Sequence, residues 1–293
     1  MLNNCFQTDK IHNIALAGLT NELFSVYVNQ LWNQHEKSIL IVTPSLYEAN
    51  QIYESLSNYN ASVSLFPMDD FLTSEAIAVS PDLMVNRLET LNLILNNQKN
   101  IVVTNLMGYL RFLPSKDLYQ KSHFTFSIDD EIEPKELVEK LYHIGYTKES
   151  IVTKTGEFSV RGFVIDVFPL GLDHPVRFEF FGDSIESIRS FDEDTQKSLE
   201  SLKFVSIDPY TEFILEKYPD EYESKQKYLL ELSNSVSNIY QYLDPTIVIY
   251  KDYPQLEKSY ELLVKEIFEY RQEKDQAFQS KYMFDLTEIN PFN

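Results

Sequence analysis

The stretch Ser38-Ile39-Leu40-Ile41-Val42 constrains the fold most: an apolar run followed at once by Thr43-Pro44-Ser45 and then Leu46, Ala49, Ile52, Tyr53 and Leu56 at helical spacing. A strand that is apolar without alternation buries both faces, and the architecture that allows this is a parallel sheet covered by crossover helices. The neighbouring segments repeat the unit. A short strand is expected at 13–17, a loop at 18–21, and a helix at 22–32 with Leu23, Val26, Tyr27 and Leu31 on its buried stripe. Further strands are expected at 63–66 and 101–104, with Ser80-Pro81 opening a helix through Met84, Leu88, Leu91 and Leu95.

From 124 to 202 the pattern changes to one helix, 134–144 stopped by Gly145, followed by strands at 158–160, 163–168, 176–181 and 184–191. Gly171-Leu172-Asp173 and Gly182-Asp183 are the expected hairpin turns. The expected organisation is therefore an α/β parallel-sheet domain in two parts, 1–123 and 203–293, interrupted by a small α+β insert at 124–202. In the second part, 229–243 reads as helix and 255–278 as a long amphipathic helix. The apolar run 246–250 reads as a strand rejoining the first sheet.

The insert also holds the residues that promise chemistry. Along 176–181, alternation sends Val176, Phe178 and Phe180 to one side and Arg177, Glu179 and Phe181 to the other. Arg177 and Phe181 thus share a face, and Arg161 is a second strand-like arginine of the insert. Arginine beside an aromatic is the pairing enriched at the energetic centres of protein interfaces, because a planar donor fork and a rigid ring lose little entropy on binding. The competing plain reading is an arginine lying over a core edge.

Composition narrows the function classes. With 25 basic against 45 acidic residues, a net charge of −20, the chain lacks the positive field that unaided binding to a phosphate backbone requires. The single Cys5 excludes an internal disulfide and a multi-cysteine metal site, and with no signal-peptide or membrane-spanning run a cytoplasmic location is expected. Histidines 12, 35, 123, 143 and 174 have no metal-ligand spacing.

Ile14-Ala15-Leu16-Ala17-Gly18-Leu19-Thr20-Asn21 occupies the position of a phosphate-binding loop, yet only Gly18 and Thr20 are left of its chemistry. The lysine for the terminal phosphates is absent, and the strand at 246–250 ends in Asp252 without a following Glu. No catalytic constellation and no cofactor is expected for this chain.

Together with that degenerate loop, the segment FPMDDFLTSEAIAVSPDLMVNRLETL and the run GEFSVRGFVIDVFP through RFEFFGDSIESIRSFDEDTQKSL resemble the N-terminal region of the bacterial transcription-repair coupling factors, the Mfd family. That region is similar to the excision-repair helicase UvrB, whose loop lysine is intact. The resemblance implies a helicase-like α/β domain with a degenerate P-loop, and an inserted domain that binds UvrA. It also implies that the family's contacts to UvrA fall on Arg161, Arg177 and Phe181. RNA polymerase, duplex DNA, and the ATP and magnesium of the family's motor are implied only for a longer protein. The short loop before 81–95 leaves no room for the DNA-threading hairpin of UvrB. The expected function is a non-catalytic module recruiting UvrA in transcription-coupled repair. The alternatives are a weak nucleotide- or DNA-binding domain of helicase type and a damage sensor in its own right.

Overall fold

Hydroxyl caps start the first two helices of the first unit. Thr20 Oγ1 accepts from the Leu23 N–H at 3.4 Å and Ser45 Oγ from the Glu48 N–H at 3.3 Å, each satisfying a backbone donor that the helix leaves free. The computed structural model of the chain describes residues 15–72, 80–96, 99–223, 225–243 and 246–289. In chain order the first elements are α1 (Asn21–Gln34), β1 (Ser38–Thr43), α2 (Leu46–Ser57), β2 (Val63–Phe66), α3 (Pro81–Leu95), β3 (Ile101–Asn105) and α4 (Leu106–Leu110). Then follow β4 (Leu113–Pro114), α5 (Lys116–Lys121), β5 (Phe124–Ser127), α6 (Pro134–His143), β6 (Thr147–Lys148), β7 (Glu157–Arg161) and β8 (Val164–Val167). β9 (Val176–Phe181), β10 (Ser184–Phe191), β11 (Ser198–Leu202) and β12 (Phe204–Ile207) complete the strand-rich segment. The chain closes with α7 (Leu229–Leu232), β13 (Val236–Ser237), α8 (Ile239–Tyr242), β14 (Thr246–Tyr250), α9 (Tyr253–Lys274) and α10 (Leu286–Ile289).

The chain divides into two compact units, residues Met1–Phe112 with Ser237–Asn293, and Leu113–Val236. In the first, β14, β1, β3 and β2 lie side by side in that order, all parallel. The late strand does rejoin the early sheet, with Leu40 opposite both Val248 and Val102. Ile39 to Val42 are all fully buried, as an apolar run covered on both faces requires. Phe24, Val28, Leu31, Ala49, Ile52 and Leu56 from α1 and α2 pack with Ile39, Ile41, Ile101 and Val103.

Three expectations are corrected here. Ala15 to Ala17 form no strand and are exposed, while residues 13–14 lie outside the described residues. The stripe of α1 is turned, with Phe24, Val28 and Leu31 buried and Leu23 44% exposed, because the helix faces what the sheet presents rather than its own most apolar arc. The stretch 229–243 is not one helix: α7 ends before β13, and Asn238 starts α8 with a capping box to Gln241.

In the second unit six strands run in the order β11-β10-β9-β8-β7-β6, antiparallel except for β6 with β7, and all lie within 124–202. One face packs on α6, where Leu137, Leu141 and Ile144 meet Phe158, Ile165, Val176, Phe178, Ile185 and Ile188. Gly145 and Gly156 adopt φ of +93° and +88°, and a Cβ at Gly156 would lie 2.2 Å from the Tyr210 ring. Only glycine allows both that conformation and that approach.

Candidate functional site

The opposite face of the six-stranded sheet is polar, and strand register decides which side chains share it. Arg177 on β9 pairs with Asp166 on β8 and with Arg189 on β10; Glu179 pairs with Val164 and Ser187; Arg161 on β7 pairs with Val164. Since side chains alternate, Arg161, Asp166, Arg177, Glu179, Phe181, Ser187 and Arg189 project from one side, and Val176, Phe178 and Phe180 go to the core.

Asp166 sits at the centre, only 1% exposed. Its Oδ1 accepts from Arg177 Nε at 2.6 Å and its Oδ2 from Arg177 Nη2 at 2.9 Å, while Arg161 Nη2 also donates to Oδ2. Arg177 Nη2 donates further to Gln196 Oε1 at 3.3 Å, and the guanidinium lies 4.4 Å from the centre of the Phe191 ring. Hydrogen bonding to Asp166 outweighs burial and raises the arginine's pKa above its ordinary value. Beside this group Glu179 accepts from Ser187 Oγ at 2.7 Å and pairs with Arg189. The Ser187 bond, then Arg189, holds the Glu179 carboxyl below the usual carboxylate range. On this face three arginines thus pair with two carboxylates.

Aromatic rings stand at the end of the same sheet. Phe181 is 80% and Phe163 63% exposed, each beside a glycine of positive φ, Gly182 and Gly162. The Phe180 N–H donates to the Phe163 carbonyl at 2.9 Å, so the β7–β8 and β9–β10 turns lie at one edge. The fold gains nothing from two phenyl rings in water. Of the three sequence-predicted residues, the structure leaves Arg161 and Phe181 exposed, but Arg177 keeps only 16% of its side chain accessible, because Asp166 and Phe191 draw it down. Sequence reasoning did not single out Asp166 or Phe163. The available signal was a lone carboxylate in the apolar strand Val164-Ile165-Asp166-Val167 and a phenylalanine in a two-residue turn.

Gly18 and Thr20, read from the sequence as the remnant of a phosphate-binding loop, are placed differently. Gly18 has φ +79°, and Thr20 is the N-cap of α1, its hydroxyl engaged with the helix backbone. Glu22 stands in the first turn, its carboxyl pKa lowered by a bond to its own backbone N–H and by the Thr20 hydroxyl. Asp252, at φ +54°, caps α9 by accepting from the Gln255 N–H at 3.2 Å. Among the described residues, no cluster of three or more His, Cys, Asp or Glu is arranged to hold a metal, and no helix is long and apolar enough to cross a membrane.

Residues 124–213, which include this polar face, match the family described as the UvrB interaction domain. The six-stranded sheet, with its exposed arginine and phenyl rings, lies within that matched domain. Over a longer span the chain is similar to transcription-repair-coupling factors. It is 36% identical to that of Bacillus subtilis over 202 residues, covering 68% of this chain and 17% of the relative. The corresponding figures are 29% over 263 residues (88% and 22%) for Staphylococcus epidermidis and 32% over 205 residues (69% and 18%) for Staphylococcus haemolyticus. The chain is a relative of the transcription-repair-coupling factors, as its motifs implied, and spans about a fifth of their length.

Proposed function

We propose that this chain is a non-catalytic module that binds UvrA through Arg161, Arg177 and Phe181, recruiting it where RNA polymerase has stalled on damaged DNA. The observation that supports this most is the register of β7, β8 and β9, which brings those three residues to one face of a stretch that matches the UvrB interaction domain. Phe163 extends the same edge. Calorimetric titration of the chain with purified UvrA tests the reading: saturable binding is expected, weakened by Arg161→Ala and Phe181→Ala with circular dichroism unchanged. Absence of binding, or wild-type affinity in both variants, refutes it.

The α/β unit belongs in this reading to the helicase-like class with a degenerate P-loop, working without nucleotide or metal. Thr20 uses its hydroxyl as a helix cap, and Glu22 sets negative charge at the end of α1 where phosphates would have to sit. Titration with a fluorescent ATP analogue should give no saturable signal; micromolar binding displaced by ATP favours a nucleotide-dependent enzyme instead. In a gel shift at physiological salt, duplex DNA should bind weakly and with strong salt dependence. Tight, damage-selective binding would make the module a sensor. Polymerase engagement, DNA translocation and a cytoplasmic setting are proposed for the longer protein on the same family likeness.

A further inference from the structure

We infer that Asp166 is a positioning residue of the docking face, holding Arg161 and Arg177 in the orientation the partner meets; this rests on the UvrA-binding reading. A carboxylate 1% exposed is strongly unfavourable unless paired, and Asp166 is paired twice, to strands on both sides of its own. The two arginines lie on strands that do not touch each other, since β8 separates β7 from β9. Among the described residues, Asp166 is thus the one side chain hydrogen-bonded to both. Arg177, bound through Nε and Nη2 and resting on Phe191, is fixed in place, whereas Arg161 is tied back by one Nη2 and keeps 49% of its side chain exposed. An arginine restrained before binding loses less freedom when it docks, and affinity gained in this way depends on the restraint rather than on any contact of Asp166 with the partner.

The test uses the whole chain and purified UvrA. Asp166→Asn keeps the shape but replaces one acceptor oxygen by a donor facing arginine N–H groups, and about a tenfold loss of affinity is expected. In the Arg161→Ala/Asp166→Asn double variant the loss should be smaller than the product of the two single losses, because the restrained side chain is already gone. Wild-type affinity in Asp166→Asn, or losses that multiply, overturns the inference. A readout that needs no variant is 15N relaxation of the arginine Nε–H groups in the free wild-type chain. Arg161 and Arg177 should be ordered like the backbone around them, and an Arg161 as mobile as a solvent side chain overturns the inference even where Asp166→Asn fails to fold. A wild-type chain that does not bind UvrA instead refutes the underlying reading, while the relaxation result still decides whether Asp166 holds the arginines.

Discussion

Truncating Arg177 should separate folding from docking at this face. Its guanidinium makes two of the three hydrogen bonds to a carboxylate that is 1% exposed, and only 16% of its side chain reaches solvent. Removing one member of a buried ion pair costs about 3–5 kcal/mol, since the other charge is left unpaired. Asp166 retains Arg161, so the lower end, about 3 kcal/mol, applies. Loss of the cation from the Phe191 ring adds about 0.5–1 kcal/mol. Arg161→Ala, by contrast, removes a half-exposed partner and leaves Asp166 with both bonds to Arg177, for a cost below about 1 kcal/mol. With a urea m-value of about 2 kcal/mol/M, Arg177→Ala should lower the unfolding midpoint of the second unit by about 1.5–2 M, and Arg161→Ala by less than about 0.5 M. Far-UV circular dichroism follows the transition, and Trp32, the single tryptophan, reports the first unit separately by fluorescence. Arg177→Met, which keeps an apolar stem over the Phe191 ring, should recover little of the loss. Equal midpoints for Arg177→Ala and Arg161→Ala would refute the reasoning, because Asp166 would then not depend on its bidentate partner. A weakened UvrA complex of Arg177→Ala is therefore evidence for docking only where the second unit is still folded.

Phe163→Ala should leave thermal stability unchanged, the ring being 63% exposed, and weaken UvrA binding by about 1–2 kcal/mol, roughly five- to thirtyfold by calorimetry. Unchanged affinity would confine the edge to Phe181. Gly156→Ala should destabilise the second unit by about 2–4 kcal/mol in urea, adding left-handed backbone strain to a clash with the Tyr210 ring, and a loss below about 1 kcal/mol would show that Tyr210 swings away.

Local pattern was enough to read much of the architecture. Continuous apolarity at 39–42 required a covered parallel strand, Ser45 and Pro81 marked helix starts, and alternation along 176–181 assigned Arg177, Glu179 and Phe181 to one face. Each of these follows from a period or a cap contained within a few residues, so no distant part of the chain needed to be known. The turned stripe of α1 and the break between α7 and α8 were not legible, because tertiary packing selects among several apolar arcs and can interrupt a helical pattern. On the polar face, the composition of the strands marked two arginines and a phenylalanine, yet their meeting depends on the pairing of β7, β8 and β9. That pairing brings Asp166 between residues 5 and 11 positions away and converts Arg177 from an exposed anchor into a buried partner. Side-chain alternation is a property of one strand, and the tight Gly162-Phe163 turn sets β7 against β8; the register of β9, which no tight turn joins to β8, depends on burying one face against α6, and only the tertiary structure supplies it.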